Sequence, residues 1–341
     1  MPGRIEHPAT VQRTCRQGVA GVREGNGSTS RSPVTPLAAS LHRMIAEEKL
    51  RSCLANLWGV TDATVEPHHG GMNSATWFVT AGAESWVAKA VAPAARRSLL
   101  GGLTVAGHVD AAGIPTGAPA TTRQGEIIAD VEGIPLALLR RVDGDGLSGG
   151  TPDEQRLIGR TLGRVHEVLR EVSVKDADRF HWVDVQAAHL AVRPWIRPAV
   201  AAAVAAYEAL DPSTLSWGLL HTDPAPEAFL LDRRTGVCGL IDWSVAITGP
   251  LLYDLASAVM YAGGPRRAVC LIEAYLTRRT LTRAEVEHGL PTMLRFRWAV
   301  QADYFARRLA TGDLTGLANN EGNEKGLEDA RHRLSQIPQN T

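Results

Sequence analysis

The sequence predicts an α+β protein of two lobes, a small β-rich N-terminal lobe and a larger helical C-terminal lobe. Three observations lead to this prediction. Short strand-like runs dominate residues 63–142, a Gly-rich joint follows at residues 143–150, and helical apolar patterns fill most of the remainder. At 341 residues the chain is long enough to bury a core in each lobe.

The composition along the chain predicts the domain boundaries. Residues 1–39 are rich in Gly, Ser, Thr, Pro and Arg and have no apolar periodicity, so we expect a disordered tail. Residues 40–142 are assigned to the N-terminal, nucleotide-binding lobe. Residues 143–341 are assigned to the C-terminal lobe, because the joint Asp143-Gly-Asp-Gly-Leu-Ser-Gly-Gly150 is the most flexible segment between periodic regions.

The N-terminal lobe is expected to hold two helices and five strands. The helices are predicted at 41–58, ending at Gly59, and at 94–112; the strands are predicted at 63–67, 75–80, 86–91, 126–131 and 136–142.

The C-terminal lobe is expected to be mostly helical. Thr151-Pro-Asp-Glu154 has the pattern of a capping box with Pro in the first turn, which predicts a helix start. Further helices are predicted at about 184–192, 195–210, 251–261, 265–277, 282–288 and 291–310, with a last helix after a polar break at 312–326.

Bulk properties exclude several classes of partner. The 36 basic residues balance the 36 acidic ones, so no field of one sign indicates nucleic acid or an anionic membrane surface. No run approaches 18 uninterrupted apolar residues, and the four cysteines show no pairing pattern. We therefore expect a soluble cytoplasmic protein.

Two acidic landmarks carry most of the functional information. His221-Thr222-Asp223 follows an apolar run at 215–220, and a second apolar run delivers Asp242 nineteen residues after Asp223. Two strands joined in this way would place both carboxylates at one edge of a small sheet. A carboxylate that accepts a proton, beside one that holds a divalent cation, is the minimal equipment for phosphoryl transfer from ATP.

Lys89 is the matching cation upstream. The chain contains four lysines against 32 arginines, yet Lys89 lies within the apolar strand 86–91. Lysine and arginine are not interchangeable at a phosphate oxygen, so the choice of lysine indicates a phosphate contact. The alternative is a strand lysine whose tip reaches solvent.

These landmarks together resemble the aminoglycoside phosphotransferase family. Gly70-Gly71, Val87-Ala88-Lys89, His221-x-Asp223, Ile241-Asp242-Trp243 and Tyr253-Asp254-Leu255-Ala256 occur in that family's order and spacing. The family has the protein-kinase-like fold and also includes choline, homoserine and fructosamine kinases. The resemblance covers about residues 55–310 and is most specific over 219–262.

The resemblance implies a nucleotide site with ATP and Mg²⁺ as cofactors. The loop from His69 to Ser74, including Gly70 and Gly71, would cover the triphosphate with backbone N–H groups, or would be a simple hairpin turn. Lys89 would bind the α- and β-phosphates.

The resemblance also implies roles for the residues near the reacting atoms. Asp223 would accept or orient the proton of the acceptor hydroxyl, and Asp242 would hold Mg²⁺. Asp254 would brace the catalytic loop, and His221 would pack that loop.

Two departures from the family pattern stand out. The family has Asn five residues after the catalytic Asp, where this chain has Ala228; the adjacent Glu227 could be the second metal ligand or could point to solvent. Kinase-like folds also pair the nucleotide lysine with a helix Glu, but residues 85–109 contain no acid. Lys89 could then be paired with Asp110 or a loop carboxylate, or stay unpaired until nucleotide binds.

The resemblance implies that the acceptor is a hydroxyl-bearing small molecule, either an aminoglycoside-like antibiotic or a metabolite. Gln301 interrupts a predicted apolar helix face and either lines the substrate cleft or is satisfied in the core. C-terminal carboxylates could attract a polycation, although Arg307 and Arg308 argue against it; these carboxylates are Asp303, Asp313, Glu321, Glu324 and Glu328. The rival hypothesis is a kinase-fold protein that binds nucleotide or ligand without transferring phosphate.

Overall fold

The computed structural model describes residues 45–68, 74–175, 177–180, 183–245, 247–315, 317 and 319–336. The expected tail at 1–39 and the proposed phosphate-loop residues Gly70 and Gly71 lie outside these ranges. The lobe boundary at residue 143 stays a prediction.

Eight α-helices lie within the described residues. They are α1 (Glu47–Cys53, continued by one π-helical turn, Leu54–Trp58), α2 (Arg96–Ala111), α3 (Pro152–Val168), α4 (Ile196–Glu208), α5 (Leu251–Tyr261), α6 (Val269–Leu276), α7 (Arg283–Thr311) and α8 (Glu321–Gln336).

Twelve strands, several very short, lie within the same ranges. They are β1 (Thr64–His68), β2 (Ala75–Ala81), β3 (Glu84–Ala90), β4 (Pro119–Ala120), β5 (Ala129–Val131), β6 (Ile134–Arg140), β7 (Asp145–Gly146), β8 (Asp178–Arg179), β9 (Trp217–Leu220), β10 (Phe229–Asp232), β11 (Val237–Leu240) and β12 (Ile247–Pro250).

The N-terminal part is an antiparallel sheet of order β1-β2-β3-β6-β4, with β5 pairing β6. Period-two alternation divides its residues between the two faces. Trp77, Val79 and Ala88 are buried with α1 in one core cluster, whereas Lys89, next to Ala88 on β3, points to the opposite face. Lys89 is in register with Thr76 on β2, so the sheet fixes its place.

The C-terminal part contains a large helical core and two three-stranded sheets. One sheet has the order β11-β10-β7, and the other the order β8-β12-β9. Helix α3 begins as the capping box predicts, since the backbone N–H of Glu154 donates to the Thr151 hydroxyl at 3.3 Å. The predicted two-lobe α+β fold is confirmed by this arrangement and by the structural likenesses described below.

The sequence prediction that Asp223 and Asp242 share one small sheet is wrong. The strand before Asp223 is β9, which pairs β12, while the strand before Asp242 is β11, which pairs β10. Strand β10 forms a hairpin with β11 that the sequence reading missed. The two carboxylates are therefore brought together by loop contacts rather than by a shared sheet edge.

Helix α7 runs without a break through Pro291, whereas the sequence predicted two helices there. Proline leaves the carbonyl four residues earlier without an intrahelical partner. Pro291 and Glu287, whose carbonyl loses that partner, both face solvent, where water can satisfy the free carbonyl. The predicted helix at 184–192 is also corrected, to a short 3₁₀ turn at Ala188–Val192.

In the part of the chain that the structure describes, no helix combines the length and apolar character required to cross a membrane.

Candidate active site

The loop after β9 carries Asp223 and is held from below by Asp254. The Asp254 carboxylate is fully buried at the start of α5, and it accepts backbone N–H bonds from His221 at 2.7 Å and from Thr222 at 2.8 Å. Thr222 has a φ of +76°, a conformation that β-branched residues rarely adopt. The two bonds to Asp254 hold the loop in this strained shape, and so set the direction in which Asp223 leaves it.

Two further buried groups complete the brace. The Nε2–H of His166 donates to Asp254 at 3.1 Å, and the Tyr275 hydroxyl donates to Nδ1 of His166 at 2.7 Å. Burial raises the pKa of Tyr275 far above its usual value. Every member of this chain therefore has a partner, which is the condition under which a buried carboxylate is tolerated. The structural role expected for Asp254 agrees with these contacts.

The Asp223 loop is tied directly to the segment that precedes Asp242. His221 donates from Nε2 to the carbonyl of Ile241 at 2.8 Å, and its ring packs edge-on against Trp243 at 4.7 Å. The N–H of Ile241 donates to the carbonyl of Ala228 at 2.9 Å. These contacts, rather than strand pairing, bring the loops of the two functional carboxylates together.

Lys89 reaches from β3 to Asp242. Its Nζ lies 2.6 Å from Oδ1 of Asp242 and also donates to the Ser244 hydroxyl, which in turn donates to Oδ1 of Asp242 at 2.8 Å. The Lys89 charge, together with the bonds from Lys89 and Ser244, holds the pKa of Asp242 well below its usual range. Of the alternatives left open for Lys89, a loop carboxylate is therefore its partner.

Helix α2 packs against this loop through its backbone. A Cβ atom added at Gly102 would lie 2.3 Å from the carbonyl oxygen of Trp243 and 2.8 Å from the N–H nitrogen of Val245. Asp110, near the end of α2, instead accepts a bond from the N–H of Thr116 at 3.3 Å. The backbone of α2 therefore packs closely against the loop that carries Asp242.

Asp223 has a cationic partner that sequence reasoning missed. Arg297 on α7 donates from Nη2 to Oδ1 of Asp223 at 2.9 Å, and the Tyr261 hydroxyl donates to the same oxygen at 2.6 Å. Arg297 is one arginine among 32 in the chain. A second arginine, Arg295, lies two residues before it, so no sequence signal distinguishes Arg297.

Glu227 lies in a 3₁₀ turn (Pro226–Ala228) four residues after Asp223, with an exposed side chain. Burial raises the pKa of Tyr261 far above its usual value, and the Glu227 charge adds to this effect. Ala228 is buried in the helical core. Glu227 as a metal ligand stays a prediction.

The other predicted nucleotide-site residue within the described ranges is Ser74. It is buried before β2, with its hydroxyl 3.5 Å from that of Thr76, the register partner of Lys89. Ser74 therefore lies one strand from Lys89, at the end of the proposed phosphate loop. Its contact with phosphate stays a prediction.

Gln301 does not line a cleft. Its Nε2 donates to the carbonyl of Gly326 on α8 at 3.0 Å. A Cβ atom at Gly326 would lie 2.2 Å from the ring of Phe305, which shows how closely α8 crosses α7. The predicted apolar face of α7 packs against α8 here, and the satisfied-glutamine alternative is the correct one.

A magnesium–nucleotide complex needs one or two carboxylates and completes its shell with phosphate and water oxygens. Asp242 fits that requirement, because its side chain is 64% exposed while Lys89 and Ser244 fix one of its oxygens. Within the described residues, no group of three or more His, Cys, Asp or Glu side chains forms a complete metal cage. The donor set suits a metal that arrives with nucleotide.

Comparison with known proteins agrees with this geometry. Residues 64–287 match the family described as "Phosphotransferase enzyme family", and they make up well over half of the chain. The chain therefore belongs to this phosphotransferase family.

One similar relative is a homoserine kinase of Pseudomonas aeruginosa, 34% identical over 196 residues; the match covers 54% of this chain and 61% of the relative. The chain thus spans about three fifths of the length of that relative.

Two solved structures have the same fold. Amicoumacin kinase hAmiN, in complex with AMP-PNP, Ca²⁺ and Ami, superimposes with a TM-score of 0.68 at 15% identity, over 88% of this chain and 96% of that one. A microcompartment-associated aminopropanol kinase gives a TM-score of 0.64 at 18% identity, over 86% and 96%. At these identities the likeness shows the fold alone.

Proposed function

We infer that the protein is an ATP- and Mg²⁺-dependent phosphotransferase that phosphorylates a hydroxyl group of a small molecule. The observation that carries this proposal is the assembly of Asp223, Asp242 and Lys89 from three separate regions of the chain. Asp242 is paired with Lys89 at 2.6 Å, and the Asp223 loop is bonded to the residue before Asp242 through His221. Family membership agrees with this chemistry.

Each residue has a defined task in this proposal. Lys89 binds the oxygens of the α- and β-phosphates, for which a compact ammonium is suited. Asp242 holds the metal ion, which supplies neutralisation of phosphate charge. Asp223 accepts a hydrogen bond from the acceptor hydroxyl and orients its oxygen towards the γ-phosphate. It takes the hydroxyl proton as the bond from that oxygen to phosphorus forms and the bond from phosphorus to the β–γ bridging oxygen breaks, releasing ADP.

We further propose that the acceptor is a small amino alcohol or hydroxy amino acid rather than a polycationic aminoglycoside. The homoserine kinase relative supports a metabolite of this size. The C-terminal carboxylates are mostly paired within the protein: Asp303 with His189 at 2.6 Å, Asp313 with Arg308 at 3.2 Å, Glu324 with Arg193 at 2.8 Å and Glu328 with Arg331 at 3.6 Å. Paired carboxylates offer little attraction to a polycation.

The test is a panel of acceptors incubated with MgATP, with the phosphorylated product detected by mass spectrometry. The panel contains L-homoserine, 1-amino-2-propanol, choline and an aminoglycoside, and binding of MgATP is measured on the same preparation. We expect phosphorylation of a small acceptor and none of the aminoglycoside. Tight MgATP binding without transfer to any acceptor or to water would favour the rival, a kinase-fold binding protein, for which the buried Ala228 in place of Asn is the supporting feature.

A further inference from the structure

A second arrangement of charged and polar side chains surrounds Asp223; we name its four members, Asp223, Arg297, Tyr261 and Ser257, the Arg297 cluster. Arg297 donates from Nη2 to Asp223 at 2.9 Å and to the Tyr261 hydroxyl at 3.3 Å, and from Nε to the Ser257 hydroxyl at 3.1 Å. Ser257 donates to the carbonyl of Tyr253 at 3.0 Å. The guanidinium is therefore anchored to the backbone of α5 and reaches the carboxylate of Asp223.

The burial of this cluster is strongly one-sided. The Arg297 side chain is 9% exposed, whereas that of Asp223 is 60% exposed. Enclosing both charges of an ion pair costs desolvation that often exceeds the attraction gained, so an ion pair by itself is weak evidence for a purely structural role. Here the buried arginine holds one oxygen of a carboxylate that is itself mostly exposed to solvent.

The guanidinium of Arg297 keeps its positive charge. Burial lowers the pKa of Arg297, but the neighbouring Tyr253, Asp223 and Tyr261 raise it by more, so it stays above its ordinary value. Arginine is also suited to the task, because its planar fork can bond several partners at fixed angles at once. A permanent positive charge thus lies 2.9 Å from the proposed proton acceptor.

Both donors converge on the same oxygen. Arg297 and Tyr261 each bond to Oδ1 of Asp223, and among the residues that the structure describes no hydrogen bond reaches Oδ2. With Oδ1 held from two directions, rotation of the carboxylate is restricted and Oδ2 is directed to the cleft.

We propose that Arg297, assisted by Tyr261, is a positioning residue for phosphoryl transfer: it fixes Oδ1 of Asp223 so that Oδ2 receives the acceptor hydroxyl. This inference rests on the proposed function, because it assigns a role within that reaction. The proposal predicts different effects on transfer and on nucleotide binding. Loss of Arg297 lowers the turnover number, while the affinity for MgATP, which depends on Lys89 and Asp242, stays the same.

The experiment compares Arg297→Ala with the wild type for MgATP affinity and for the rate of transfer, both to the acceptor found in the panel and to water. We expect turnover to fall by about 10²-fold, the scale on which a misplacement of about 1 Å affects rate. Affinity for MgATP should change by less than about threefold. Arg295→Ala, on the same helix and without a contact to Asp223, is the matched control and should retain wild-type turnover.

Chemical rescue distinguishes positioning from general damage. The Arg297→Ala variant is expected to have a cavity with the shape of free guanidinium. Guanidinium chloride at tens of millimolar should therefore restore turnover by about tenfold or more. Urea, which is uncharged and of similar shape, should not restore it. Arg297→Lys should recover only part of the rate, because an ammonium cannot bond Ser257 and Asp223 with the same geometry.

If Arg297→Ala does not fold, Tyr261→Phe provides the second test, since it removes only one hydroxyl from Oδ1; turnover should fall several-fold at unchanged MgATP affinity. Wild-type turnover in either folded variant, or equal effects of guanidinium and urea, would overturn the positioning role while leaving the proposed function intact. A wild-type protein that binds MgATP but transfers to no acceptor and not to water would overturn both.

Discussion

The two carboxylates at the centre of the site, Asp242 and Asp223, are both held by cations, but by cations of different kinds and origins. Asp242 is held by Lys89, which lies 153 residues earlier on a strand of the N-terminal sheet. Asp223 is held by Arg297, which lies 74 residues later on α7. In the proposed function, lysine, the compact cation, binds phosphate, and arginine, with its planar fork, positions the carboxylate that receives the acceptor hydroxyl.

The two contacts differ in how lasting they are. The proposed function predicts that the contact between Lys89 and Asp242 rearranges when nucleotide binds, whereas the contact between Arg297 and Asp223 persists. In the proposed function, Lys89 and Asp242 each gain a further partner, phosphate and metal respectively, when the nucleotide binds. The Asp223–Arg297 contact lies entirely among helices and loops of the C-terminal part, below which Asp254 braces the loop. The comparison therefore predicts that changes near Asp242 alter binding and changes near Asp223 alter transfer or stability.

The largest expected effect on stability comes from Asp254→Asn. An amide can accept only one of the two loop N–H bonds, and its NH₂ group would face a donor from His166 or the loop. We expect the free energy of unfolding to fall by about 2–4 kcal/mol, as measured by chemical denaturation. Asp329→Asn, at an exposed pair with Lys325, is the control and should cost less than about 0.5 kcal/mol. Equal effects would show that Asp254 is not a brace.

Gly102→Ala should perturb the Asp242 loop. The added methyl would meet the carbonyl of Trp243 at 2.3 Å, so helix or loop must shift, at a cost of about 1–3 kcal/mol. Gly107→Ala on the same helix is the matched control, because nothing lies within 4 Å of the added atom and helix propensity favours alanine by about 0.5–1 kcal/mol. The midpoint temperature of thermal unfolding should fall for Gly102→Ala and rise for Gly107→Ala. A shift in the same direction for both variants would contradict the close packing.

Lys89→Arg tests the nucleotide half of the comparison. The charge is retained, but a guanidinium cannot occupy the space between Asp242 and Ser244 in the same way. We expect MgATP affinity to weaken about tenfold, or about 1.4 kcal/mol. Lys49→Arg, at the exposed pair with Glu132, should leave affinity unchanged. An unaffected Lys89→Arg variant would reduce Lys89 to a strand residue with a solvated tip.

Glu227→Ala has the smallest expected effect and decides the role of the residue beside Ala228. If the Glu227 carboxylate contributes to the metal site, the Mg²⁺ concentration for half-maximal transfer should rise several-fold at saturating ATP. Glu328→Ala on α8 is the control for loss of a surface charge. A Mg²⁺ dependence identical to that of the wild type would leave Asp242 as the ligand on which the site depends.

Much of the fold could be predicted from sequence because its elements carry local signals. Helix α3 has a capping box, and α5 was predicted with the bounds that the structure has. The partners of β9 and β11, which are β12 and β10, could not be predicted. Strand partners are set by contacts between segments distant in sequence, and the short β10 lies between β9 and β11 in the chain. The continuity of α7 through Pro291 depends on which face is solvated, which periodicity across a proline does not reveal.

The residues of the candidate site also divide into those that could be proposed from sequence and those that could not. Lys89, Asp223 and Asp242 could be proposed because a rare residue type or a recurring spacing marks them in the sequence. Arg297 could not, since arginine is abundant here and nothing local links α7 to a loop 74 residues earlier. Partnerships that span the fold are decided by packing, and only the structure brings them to light.

The most direct test of the account measures MgATP binding and phosphoryl transfer side by side in Asp223→Asn and Asp242→Asn. We expect Asp223→Asn to bind MgATP like the wild type while transfer falls by about 10²–10⁴-fold, as for loss of a proton acceptor. Asp242→Asn should lose the Mg²⁺-dependent part of nucleotide binding. Wild-type transfer in both variants, or loss of MgATP binding in Asp223→Asn alone, would contradict the division of roles between the two carboxylates.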